Sequence, residues 1–69
     1  METYYVVRVR TKSETFYVRY AVGYELTPCF GDAHMYRERF RAEAMAKRYK
    51  AHGYEVNICE LEFKGSYEV

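Results

Sequence analysis

Apolar and polar residues alternate twice near the start of the chain. Thr3, Tyr5, Val7 and Val9 interleave with Tyr4, Val6, Arg8 and Arg10. Phe16, Val18, Tyr20 and Val22 interleave with Tyr17, Arg19 and Ala21. A period of two, rich in Val, Tyr and Phe, predicts strands over 3–10 and 15–22. The polar tract Thr11-Lys12-Ser13-Glu14 between them predicts a tight hairpin turn. One register suits both strands. It sets Val9 opposite Phe16, Val7 opposite Val18 and Tyr5 opposite Tyr20 on an inward face. The pairs Arg10–Thr15, Arg8–Tyr17, Val6–Arg19 and Tyr4–Ala21 then share the outward face. A slip of one residue would exchange the faces, so the register is expected to be firm.

Gly23 to Asp32 contains Gly, Pro and Gly and reads as a loop or an irregular strand extension. The stretch 33–52 carries two conflicting signals. Its propensities favour one long helix, and Ala42, Met45, Ala46 and Tyr49 form an apolar stripe at helical spacing. On a straight helix, however, Tyr36 and Phe40 would point away from that stripe. The element is therefore divided: a third strand over 34–40 with Tyr36 and Phe40 inward, then a helix from about 41 to 52. Gly53 suits a left-handed C-cap, and Lys47, Arg48 and Lys50 complement the negative end of the helix dipole. Residues 54–58 alternate again, and the strand runs on through Leu61 and Phe63. The apolar phase changes between Ile58 and Leu61, which predicts a bulge near Cys59 and Glu60. Residues 65–69 are expected to fray.

These elements define an α+β fold of order ββ(β)αβ. A mostly antiparallel sheet of three or four strands carries one helix on one face. The expected core is Tyr5, Val7, Val9, Phe16, Val18, Tyr20, Ala42, Met45, Ala46, Tyr49, Val56 and Ile58. At 69 residues the chain is a single domain, 1–69, with little room for both a core and an enclosed cleft.

Composition adds a partner question. There are nine tyrosines, and tyrosine suits half-buried sites and interfaces because it joins apolar area to a polar tip. The net charge of +1 hides an uneven distribution. Residues 36–50 hold six bases against two acids, whereas 55–69 hold four acids against Lys64. A basic side and an acidic side follow, and both also fit ordinary solvated faces. No secretory leader or membrane-length apolar run is visible, so a cytoplasmic location with reduced cysteines is expected.

Chemistry-bearing motifs are sparse. Cys29, His34, His52 and Cys59 are the soft-ligand set, but they lack the short knuckle of a structural zinc site, so no metal is assigned. Cys29 with His34 lacks any arrangement that would activate a thiolate, and the glycines form no phosphate loop. Glu60 and Glu62 read as solubilising acids on a strand edge. No catalytic residue and no cofactor is expected.

The outward hairpin face gathers Tyr4, Arg8, Arg10, Tyr17 and Arg19, and a single helix cannot cover both sides of the sheet. Tyrosine and arginine dominate protein-binding hot spots, and the same pair also stacks bases and binds phosphates. A solvated face with cross-strand Arg–Tyr pairs is the plain alternative.

The stretch from Phe40 to Phe63, an Ala-rich helix followed by Gly53-Tyr54-Glu55-Val56 and an alternating strand, stands behind a hairpin. In this layout the chain resembles small bacteriophage proteins that bind and inhibit host enzymes, such as inhibitors of host RNA polymerase. It departs from them at Phe40-Arg41-Ala42-Glu43, where no Thr or Asp caps the helix, and no residue's role carries over. The resemblance implies a compact, non-catalytic protein that acts by occupying a host protein's surface; separately, a monomer or weak dimer is expected. The second reading is a nucleic-acid-binding module that uses the Tyr/Arg face or the basic stretch 37–50. The balanced total charge disfavours it.

Overall fold

The computed structural model describes residues 2–19 and 25–63. The alternating segments form strands β1 (Glu2–Arg10) and β2 (Thr15–Arg19), followed by β3 (Glu25–Thr27), helix α1 (Arg39–Ala51) and β4 (Glu55–Phe63). A short 3₁₀ turn spans Phe30–Asp32. The four strands form one antiparallel sheet of order β3-β2-β1-β4. The α+β class and the single helix on an antiparallel sheet agree with the pattern of the sequence, while the strand inventory differs in detail.

The hairpin keeps the expected register where it is paired: Arg8 opposite Tyr17, Val9 opposite Phe16 and Arg10 opposite Thr15. Its turn is closed by the Thr11 amide donating to the Glu14 carbonyl at 2.9 Å, and the Glu14 amide donates to Thr11 Oγ1 at 3.1 Å. Beyond Arg8 and Tyr17 the two strands part, so the expected Val7–Val18 and Val6–Arg19 pairs are not formed. Residues 34–36 lie in the fork. The His34 amide donates to the Val18 carbonyl at 3.0 Å, and Tyr36 exchanges both backbone bonds with Tyr5 at 2.8 Å. The expected partner of Tyr5, Tyr20, lies outside the described residues, as does the expected frayed tail 65–69.

Two further boundaries move. The third strand of the sheet is β3, inside the stretch expected to be a loop or an irregular strand extension, and 34–40 contributes one isolated bridge at Tyr36. The helix starts at Arg39, so Phe40 belongs to its first turn and is 63% exposed rather than inward. The reason is economical: an extended 34–36 is enough to bring Tyr36 against the core. From Glu38 onward the backbone can wind, with the Arg41 and Ala42 amides donating to the Glu38 carbonyl. No side chain caps this end, while Arg39–Glu43 and Arg41–Glu38 ion pairs brace the first turn.

The helix end follows the Schellman pattern. The Gly53 amide donates to the Lys50 carbonyl at 2.9 Å and the Tyr54 amide to the Tyr49 carbonyl at 3.2 Å. Gly53 takes the left-handed conformation, with φ of +93°. The Tyr49 and Tyr54 rings meet edge to face with centroids 6.0 Å apart, the apolar contact that accompanies this motif.

β4 contains no bulge. It pairs with β1 in one unbroken ladder from Glu2 opposite Phe63 to Arg10 opposite Glu55. The phase change in its sequence is a change of face. Val56 and Ile58 point toward the helix, whereas Cys59, Leu61 and Phe63 point away from it, opposite Val6, Tyr4 and Glu2.

The core lies between helix and sheet. Val7, Val9, Val18, Ala42, Met45, Ala46 and Val56 form it, with Tyr5, Leu26, Tyr36, Tyr49 and Ile58 packed around them. Val6 is fully buried as well, although it stands on the opposite side of β1.

Candidate functional site

Strand alternation and the three registers define the sheet face away from the helix. One row across it runs Thr27, Tyr17, Arg8, Asn57 from β3 to β4. The next positions along β1 and β4 are Val6 with Cys59, Tyr4 with Leu61 and Glu2 with Phe63. In the other direction Thr15, Arg10 and Glu55 stand side by side. All five residues expected here, Tyr4, Arg8, Arg10, Tyr17 and Arg19, fall on this face. Tyr4, Arg8 and Tyr17 are half-buried, while Arg10 and Arg19 are exposed.

The face is more apolar than the hairpin alone predicts. Val6 stands on it as the hairpin register implies, but Cys59, Leu61 and Phe63 were not expected there, because a bulge in β4 would have turned Leu61 and Phe63 inward. The signal was present in the strict alternation of Asn57, Cys59, Leu61 and Phe63, which an unbroken strand places together. The Tyr4 and Phe63 rings meet edge to face at 5.5 Å, and the Arg37 guanidinium lies 5.5 Å from the Tyr4 ring centre. Tyr4 also donates its hydroxyl proton to Glu2 Oε1 at 2.6 Å. On the other side Phe30, brought over by the 3₁₀ turn, packs edge-on against Tyr17 at 5.1 Å while staying 40% exposed.

Arg8 occupies the middle. Its Nε–H is buried and finds no acceptor among the described residues. The residues opposite it, Tyr17 and Asn57, are uncharged. The two other arginines are differently placed: Arg10 stands opposite Glu55, and Arg19 opposite Glu25. A buried donor without an acceptor is unfavourable by about 1–3 kcal/mol, so the guanidinium is held at a price in stability.

Three ion pairs join charges elsewhere among the described residues. Arg39 donates to Glu43 at 2.9 Å and lies 4.0 Å from Glu60, and the Glu43 hydrogen bond and charge raise its pKa above the ordinary arginine value. Arg41 pairs with Glu38 at 2.7 Å. His34 packs edge-on against Tyr36, and both cysteines are free thiols, Cys29 exposed and Cys59 half-buried. Among the described residues no three His, Cys, Asp or Glu side chains converge to hold a metal, and no helix is long and apolar enough to cross a membrane. The chain matches no protein-family model, no curated protein and no solved structure.

Proposed function

We propose that this chain is a non-catalytic protein-binding module that docks its partner on the sheet face away from the helix. The observation that carries this reading is Arg8: a guanidinium at the centre of an apolar, tyrosine-bearing face, with a buried Nε–H that awaits an acceptor. A carboxylate or carbonyl of a partner would complete it. Tyr4, Leu61 and Phe63 on one side, and Tyr17 with Phe30 on the other, supply the apolar contact around it, the usual setting of an interface hot spot. A protein that inhibits a host enzyme by covering its surface would use such a face.

The nucleic-acid reading is weaker on the same geometry. Arg10 and Arg19 each stand opposite a glutamate, and the first-turn arginines of the helix are paired with glutamates. On the outer face itself this lowers the charge that could release counterions from a polyanion, and the exposed Lys47 and Lys50 lie on the helix instead.

The discriminating experiment compares wild type with Leu61→Glu on the outer face and Phe40→Glu on the helix, each checked for folding by circular dichroism. Partner capture from host lysate, read by mass spectrometry, should be lost with Leu61→Glu and kept with Phe40→Glu. Capture lost only with Phe40→Glu would move the site to the helix side.

A further inference from the structure

β4 is an edge strand. It is nine residues long and regular, and among the described residues no strand pairs with its outer side. Long regular edges are templates for another strand. The direction of its free backbone groups follows from Tyr5. Tyr5 spends its N–H and C=O on Tyr36, on the side away from β4. Its β4 neighbour Glu60 therefore turns its own N–H and C=O outward, and by alternation so do Val56, Ile58 and Glu62. Cys59, midway along β4, turns its groups inward toward Val6.

We propose that the occupant of this edge is β4 of a second copy of the chain, antiparallel across a two-fold axis at Cys59. Centred there, the full strand is paired. Ile58 meets Glu60 of the second copy, and both have outward backbone groups, so their hydrogen bonds mate. Cys59 meets Cys59 of the second copy at a non-hydrogen-bonded position, where Cα atoms stand about 4.5 Å apart.

Charge selects a second copy over an arbitrary strand. The groove between helix and β4 is lined by Lys47 and Lys50, by Glu43 held in its ion pair with Arg39, and by Val56, Asn57 and Ile58, so among the described residues its unpaired charges are the two lysines. In this register Val56 stands opposite Glu62 of the second copy, and Ile58 opposite Glu60 of the second copy. The lysines of each copy thus overhang the acids of the other, in both halves of a symmetric interface. Moving the axis one residue to Glu60 would set that carboxylate against itself, which is unfavourable. Moving it to Ile58 shortens the ladder. Phe40 fits the same arrangement. Arg39 lies 4.0 Å from Glu60, so the first helical turn stands near the axis, and the exposed Phe40 ring lines the groove there. Each copy would bury the other's ring. The inference does not rest on the outer-face reading, since it uses the strand's edge and the helix flank.

The test uses the whole chain. Sedimentation equilibrium should show a dimer. Oxidation of Cys29→Ser with copper–phenanthroline should give a disulfide-linked dimer, and Cys59→Ser should give none. Lys47→Glu/Lys50→Glu and Glu60→Lys/Glu62→Lys change exposed side chains and should keep the wild-type circular dichroism. Each should weaken self-association about tenfold or more, and an equimolar mixture of the two should restore it. A chain that stays monomeric overturns the inference. So does a dimer that fails to cross-link through Cys59 and ignores the charge exchange, because a different surface would then join the copies. Arg8 and Leu61 are untouched throughout, so failure here is separable from failure of the outer-face reading.

Discussion

Val6 and Val7 are neighbours that point to opposite sides of β1, and both are fully buried. Alternation alone assigns Val7 to the core and Val6 to the surface. Val6 is packed because the face away from the helix is itself apolar, with Cys59 directly opposite. Val6→Ala, Val7→Ala and Val18→Ala should therefore each destabilise the fold by about 1–3 kcal/mol, a large share of the stability of a small domain. Urea melts of the three variants check this. A Val6→Ala variant as stable as wild type would show that the outer face is not packed. Arg8 is the reverse case, since its Nε–H is buried and finds no acceptor among the described residues. Local rules are commonly broken at functional sites, and this residue breaks one without a visible gain in the fold.

At the scale of elements, the hairpin, the helical stripe and the glycine cap were legible because each rests on local periodicity or on a single backbone requirement. Ala42, Met45 and Ala46 are buried as the stripe demands. Gly53 adopts the positive φ that its place after the helix implies. A Cβ at Gly53 would meet nothing within 4 Å, so Gly53→Ala isolates the conformational penalty. It should lower stability by about 1 kcal/mol, with Gly53→Asn milder; thermal melts that rank the two the other way would count against the cap. Three features were legible only in part, because tertiary pairing decides them. Glu25–Thr27 read as either loop or irregular strand extension until its pairing with β2 settled it, and residues 34–36, expected as strand, are extended only as far as the fork of the hairpin admits them, with Phe40 passing to the helix. The change of phase in β4 resembles a bulge until its ladder with β1 is seen to be continuous. Of the site, the Tyr/Arg half was readable from the hairpin register. The Leu61/Phe63 half was not, since it depends on which strand lies beside β1.

At the scale of the molecule, among the described residues one helix covers one face of the sheet and leaves a partly apolar surface with a central cation on the other. The acids opposite Arg10 and Arg19 lower the positive potential of that surface. Binding to single-stranded DNA or RNA should accordingly be weak, with a shallow dependence of affinity on salt. A fluorescence-anisotropy titration at several salt concentrations checks this, and micromolar affinity with a steep slope would favour the nucleic-acid reading. The most direct measurement pairs stability with binding in Arg8→Met, which keeps the apolar stem and removes the buried donor. The account predicts a melting temperature equal to or above that of wild type, together with a loss of affinity for the captured partner of about 30-fold, the equivalent of about 2 kcal/mol. An Arg8→Met variant that melts as wild type and binds its partner undiminished would contradict it.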